Sequence, residues 1–297
     1  MQGLAQRLGS AAPDLIDMCA LSHDQRYMLL SRQDALKVRS LGSAFRVLAL
    51  LLMTMACSNQ AVVPAGGTCL DAHSAKAAPT LLNPKLGVGA GPLCFGAFGV
   101  LHSGITRTPL YVVEHLTRAS VEAAWAYDIR DNRFHPEPKL PRTQRAELAD
   151  YRGSGFDRGH MAPSGDMTNP SDDHESFSLA NVVPQDGPLN RHSWARLETY
   201  VRDLTVKLGE AYVVTGPAFE GESLRRLNGR VLVPSHIWKA IYVPGQGAGA
   251  WIVSNDPRRK WEIVSIAVLM ARTGIDPFPT LDAAAKARVP AFPNFGN

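Results

Sequence analysis

The most regular stretch of the chain is 190–208. Trp194, Leu197, Val201, Leu204 and Leu208 recur there at intervals of three and four. That spacing predicts an amphipathic helix with one apolar stripe, and Gly209 follows as a natural stop. Shorter runs that alternate or are rich in β-branched residues predict strands at 95–101 and 110–116, joined across the polar stretch 102–108 as a long-looped hairpin. Further strands are predicted at 123–129, 211–215, 230–233, 237–243 and 249–253. A second helix is predicted at 263–271, closed by Thr273 and Gly274. Strands outnumber helices and no regular βαβ alternation is present, so the pattern predicts an α+β fold. The segment 130–155, rich in charge and proline, reads as a long loop of the kind that carries function.

Residues 58–93 are rich in Ala, Pro and Gly without periodicity and read as an irregular lead-in. No internal repeat and no boundary follow Leu93, so 94–297 reads as one domain. Upstream, the apolar run 47–57 has about half the ~20 residues that a membrane-spanning helix needs. Lys37, Arg39 and Arg46 before it and small residues after it match a secretory signal, which predicts a periplasmic or extracellular product. A signal belongs at the start of a chain, so 1–57 reads as an upstream extension plus a signal, and translation from Met28 would leave a short basic n-region. Cleavage before Cys57 would give a lipid-anchored variant, although Thr54 stands where such signals carry Leu.

Export changes the meaning of the 4 cysteines. Cys19 and Cys57 lie in or before the signal, leaving Cys69 and Cys94. In an oxidising compartment these two would pair and tie the lead-in to the first strand; the alternative is two separate buried thiols. A net charge of +4 permits a polyanionic partner without requiring one. It does nothing to identify a reaction, so function must come from local motifs.

Two polar clusters carry candidate chemistry. The first is Asp157-Arg158-Gly159-His160, in a glycine-rich stretch. Imidazole is suited to taking a proton near neutral pH, and a neighbouring guanidinium suits an oxyanion. The second, at the start of the long helix, comprises Asn190, Trp194, Leu197, Glu198 and Arg202. Asn190 and Glu198 are eight residues apart, about 80° around an ideal axis, so both address one side of the helix. Taken singly, each has a bland reading: a structural His, a helix-capping Asn, an i,i+4 ion pair between Glu198 and Arg202.

Taken together, Asp157-Arg158-Gly159-His160, then 181–185 (Asn-Val-Val-Pro-Gln), then Asn190, Trp194, Leu197 and Glu198 resemble the DNA/RNA non-specific endonucleases, over roughly residues 94–279. The resemblance implies a ββα-metal (His-Me finger) fold with a central antiparallel sheet flanked by helices. It implies His160 as general base, Asn190 as the sole protein ligand of Mg²⁺ (with Mn²⁺ as a substitute), and Glu198 orienting the metal's water. Arg158 would contact phosphate and Arg202 would add a further contact. Asn181 would be a supporting polar position on the substrate side. The family also uses an arginine from the loop before the motif, for which Arg133 is the first choice and Arg130 the near alternative. DNA and RNA are the implied substrates, with no small-molecule cofactor and with a homodimer allowed.

Two alternatives stand beside this reading. One is a catalytically silent nucleic-acid-binding protein of the same fold, against which the retention of His160, Asn190 and Glu198 argues. The other is a zinc site using His160 with His174 or His192, for which the chain lacks a compact ligand spacing. The run 225–230, with Arg225, Arg226 and Arg230, reads as a solvated loop or a phosphate-tracking one.

Overall fold

The computed structural model describes residues 67–289 and 291–296. The signal-like run at 47–57, the start at Met28 and the anchor at Cys57 lie outside the described residues. In chain order the elements begin with α1 (Gly67–Ala72), β1 (Thr80–Leu81), β2 (Ala90–Cys94), β3 (Phe98–Ser103), β4 (Thr108–Thr117), α2 (Arg118–Tyr127) and α3 (Leu148–Tyr151). They continue with β5 (Phe156–His160), α4 (Pro170–Ser176), β6 (Val182–Asp186), a π-helical turn (Leu189–Trp194) running into α5 (Ala195–Leu208), and β7 (Glu210–Ala218). The chain then forms β8 (Arg226–Leu227), β9 (Val231–Leu232), β10 (His236–Val243), β11 (Gly247–Ser254), β12 (Trp261–Val264), α6 (Ile266–Thr273), β13 (Ile275–Asp276) and α7 (Ala283–Ala287).

Seven strands form one antiparallel sheet in the order β12-β11-β10-β7-β4-β3-β2. Its central strands are apolar on both faces because both faces are covered. Val112, Val213 and Ile241 face one core with Trp194, Leu197 and Val201 of the long helix. Val113, Val214 and Ala240, one residue along each strand, face a second core with Leu70, Ile266 and Leu269. The first face carries the antiparallel β5–β6 pair and α5, a strand–strand–helix unit that brings the two polar clusters together.

Four expectations need correction. The segment 123–129 is not a strand but most of α2, whose Thr117 and Ser120 form a reciprocal capping box and which buries only Val121 and Ala124. The lead-in over 58–93 is not irregular throughout: β2 pairs with β3 at the sheet edge, where Pro92 is tolerated, and β1 pairs with β13. The second helix is split, because Trp261–Val264 pairs with β11 and Ser265 then caps α6 through the Val268 amide. Within the long helix, Trp194, Leu197 and Val201 are buried, but Leu208 near the last turn is exposed.

Cys69 and Cys94 are disulfide-bonded across a sequence separation of 25. Closing a loop of that size contributes roughly 3 kcal/mol in the chain-entropy account. The bond fixes α1 to the end of the edge strand.

Candidate active site

β5 and β6 run antiparallel with His160 opposite Val182. Gly159 is required by this pairing: a Cβ there would lie 1.9 Å from Gln185 Oε1 and 2.6 Å from Gln185 Cβ. The long helix begins three residues after β6, and its first turn is wound as a π-helix, a form often found at functional sites. Asn190 sits in that wide turn and Glu198 follows in regular α5. Both line a cavity of about 310 Å³ with His160, Arg130, Ser164 and Arg191. The histidine, the asparagine and the glutamate singled out by the motifs are therefore brought to one cavity.

His160 is 7% exposed, packed between Phe134 (centroids 5.0 Å apart) and the edge of Phe177 (4.8 Å). Its Nε2 is buried and has no hydrogen-bond partner among the described residues. Burial first, and then the charges of Arg130 and Arg158, push this imidazole down to about 3. It is neutral at physiological pH. The unfolded imidazole, near 6.5, takes up a proton as pH falls, whereas the folded one does not until about 3. Stability is thus present above 6.5 and lost as pH falls towards 3, by about 3 kcal/mol from this residue between pH 7 and pH 4. Urea denaturation of the parent and His160→Ala at both pH values measures this share. Identical pH dependence in the two proteins would contradict it.

Asp157 organises the asparagine. Its carboxylate accepts from Asn190 Nδ2 at 3.0 Å and from Arg191 Nε and Nη2 at 2.8 and 2.6 Å. Burial pushes the Asp157 carboxyl up, but the bonds from Arg191 and Asn190 outweigh it and hold the group below its usual range. Fixing the carboxamide nitrogen on Asp157 leaves the carboxamide oxygen as the group able to meet a cation. Glu198 is half-buried. Burial pushes its carboxyl up to about 7, against the pull of Lys239 and Arg202.

Behind Glu198 lies a buried ionic layer. Arg202 donates to Asp166 at 2.8 Å, and Lys239 donates to Thr215 Oγ1 at 2.7 Å from the sheet. Burial holds Glu114, in the same layer, well above the usual carboxylate range.

The remaining expected site residues fall into two groups. Arg158 lies 4.4 Å from the centroid of the Phe134 ring and lines a neighbouring cavity of about 480 Å³ that shares Arg130 and Asn190 with the first. The other three lie outside the His160 cavity, although Arg202 lines a neighbouring one that shares Arg130 and Ser164 with it. Arg133 is 79% exposed, pairs with Asp131 and does not line the cavity. Arg130 is the loop arginine that does, with its guanidinium 5.1 Å from the Phe177 ring. Arg202 is 14% exposed and committed to Asp166, outside the His160 cavity. Asn181 is fully buried: its carboxamide bonds Ala162 N, Ala162 O and Ser176 O, bracing the chain just after His160.

The zinc arrangement finds no support in this geometry. His174 is held by Asp131 and stacks on His135. Among the described residues no group of three or more His, Cys, Asp or Glu can hold a metal. One oriented carboxamide oxygen, with Glu198 lining the same cavity, suits instead a hard cation that keeps most of its water. In the 225–230 run, Arg225 packs on Phe156, Arg226 bonds the Arg230 carbonyl and Arg230 pairs with Asp150, so the run is tied down locally.

Residues 78–284 match the family model for DNA/RNA non-specific endonuclease. The chain belongs to that family. It is 43% identical over 166 residues to Nuclease C1 of Cunninghamella echinulata var. echinulata, covering 50% of this chain and 65% of that protein. It is 37% identical over 168 residues to the mitochondrial nuclease EXOG of Xenopus laevis, covering 51% of this chain and 46% of that one. The chain thus spans about half to two thirds of these curated relatives. Among solved structures, a chain from the EndoG/EndoGI complex superposes with a TM-score of 0.58 at 25% identity, over 65% of this chain and 88% of its own. The fold of this family member is the expected α+β ββα-metal fold, with its central antiparallel sheet flanked by helices.

Proposed function

We propose that this family member is an exported, divalent-metal-dependent endonuclease that hydrolyses the phosphodiester bonds of DNA and RNA. The observation that carries the reading is the convergence of His160, Asn190, Glu198 and Arg130 on one cavity. Hydrolysis needs an activated water, charge against the phosphorane and help for the leaving alkoxide. His160 is already neutral, so it is ready to take a proton, and with Nε2 buried the nitrogen for that exchange is Nδ1. Burial is the main cause of the imidazole's low basicity, and the charge of Arg130 adds to it. A phosphodiester anion beside Arg130 would offset that charge and raise the imidazole's basicity by the part that Arg130 removes.

Asn190 would hold the cation through its carboxamide oxygen, with Asp157 fixing the rotamer and Glu198, further along the same helix, orienting the cation's water. A hydrated Mg²⁺ there would supply positive charge against the developing phosphorane. Water as nucleophile makes no use of a 2′-hydroxyl, and contacts aimed at phosphate carry no base code. DNA and RNA are both substrates on this reading. Export to a periplasmic or extracellular setting is supported by the Cys69–Cys94 bond and by the signal-like run at 47–57.

Incubation of the purified protein with circular plasmid and with RNA tests the proposal. Both are expected to be degraded with Mg²⁺ and neither in the presence of a chelator. Cleavage that ignores the chelator, or resistance of both substrates with Mg²⁺ present, would overturn it.

A further inference from the structure

Beyond the catalytic cavity, the outer face of the long helix leads into a second concavity. The cavity holding His160 shares Arg191 and Ala195 with a shallow depression over α5. That depression in turn shares His192 and Arg196 with a groove of about 790 Å³. The groove is lined by Arg196, Arg258, Arg259 and Lys260 together with Trp261 and Phe295, and no Asp or Glu lines it; Arg196 donates to the Phe295 carbonyl at 2.8 Å. Arg258 is 84% exposed although it pairs with Asp256, and Lys260 is exposed; Arg259 leans on Asp186 at the end of β6. From Asn190 to Arg196 the helix advances roughly 9 Å, the reach of two or three nucleotides along a stacked strand.

We propose that this groove is a second phosphate-binding site, taking the strand two or more nucleotides away from the scissile bond. The inference rests on the nuclease reading and extends it to the substrate's length. The groove is joined to the site that handles one phosphate through the depression over α5, where Asp203 is the one acidic lining residue beside Arg191 and Arg196, and its surplus of cations is complementary to the next phosphates of the same chain. The occupant is a nucleic-acid strand, because regularly spaced negative charge is what matches cations distributed along such a path. Its contribution is electrostatic, so it favours long substrates over short ones and weakens with salt.

The test is binding, not turnover. Full-length His160→Ala protein is titrated into a fluorescent single-stranded 20-mer and a tetranucleotide over a range of salt, with and without Arg258→Gln and Lys260→Gln together. The expected result is a 20-mer affinity about 3- to 10-fold weaker and a salt slope smaller by about 1 to 2, with tetranucleotide affinity at the parent level. The charge-conserving pair Arg258→Lys and Lys260→Arg is expected to bind the 20-mer like the parent, which separates lost charge from disturbed folding. Unchanged 20-mer affinity and slope would overturn the proposal, as would an equal loss on both lengths. Failure of the nuclease reading itself shows separately, as absence of cleavage by the unsubstituted protein.

Discussion

His160→Ala is expected to lower kcat on plasmid DNA and on RNA by about 10³-fold, the size of a general-base contribution. The loss should fall on both substrates equally, since the proton taken belongs to water and not to the sugar. Because Phe134 and Phe177 flank the ring, its removal leaves a hollow between two aromatic walls. Added imidazole should therefore restore part of the activity in the alanine protein, and a purely structural role would give no such rescue. Binding of the 20-mer should persist, since no phosphate-binding cation is removed. Full activity in a homogeneous His160→Ala preparation would refute the mechanism.

The parts of the site that the sequence makes legible are those whose chemistry and spacing are both local. His160 ends a strand that Gly159 allows to approach its partner, and Asn190 and Glu198 lie on one helix marked by its own apolar stripe. The parts that are not legible are selected by residues far away in the chain. Arg202 looks like a free cation on a helix until Asp166, 36 residues earlier, folds beneath it. Asn181 looks like a substrate amide until both ends of its carboxamide meet the backbone that follows His160.

The same holds for the fold. α2 buries one small face, Val121 and Ala124, and leaves Trp125 exposed, so its apolar residues show no helical stripe and read as a short strand. Its capping residues, Thr117 and Ser120, are the local signal for a helix. β2 carries glycine and proline and reads as a linker by composition, yet at a sheet edge one face of hydrogen bonding is enough. Asp157 is part of the Asp-Arg-Gly-His motif, but its grip on Asn190 depends on a contact across 33 residues.

The sharpest consequence of that distinction concerns the two arginines of the loop before β5. Arg130→Ala is expected to reduce kcat/KM by about 10²-fold, the loss typical of one preorganised group aimed at developing charge, whereas Arg133→Ala should stay within about twofold of the parent. The geometry behind this is set by α4. Asp173, buried, accepts from the Asp131 amide at 2.6 Å and from Ser164 Oγ at 2.6 Å, clamping the loop against the cavity wall. Asn132 then takes a left-handed conformation with φ 58, which Asn tolerates, and its side chain accepts from Arg130 Nε at 2.7 Å. Arg130 is thus held over Phe177 with its charge beside His160, while Arg133 is left in solvent on Asp131. Removing Arg130 also removes one of the charges that depress the imidazole. The folded His160 in Arg130→Ala should therefore titrate above about 3 when followed by NMR, independently of any assay of activity. A variant pair in which Arg133→Ala is the inactive one would reverse the assignment, and an unmoved imidazole titration in Arg130→Ala would show that the guanidinium does not act on His160 at all.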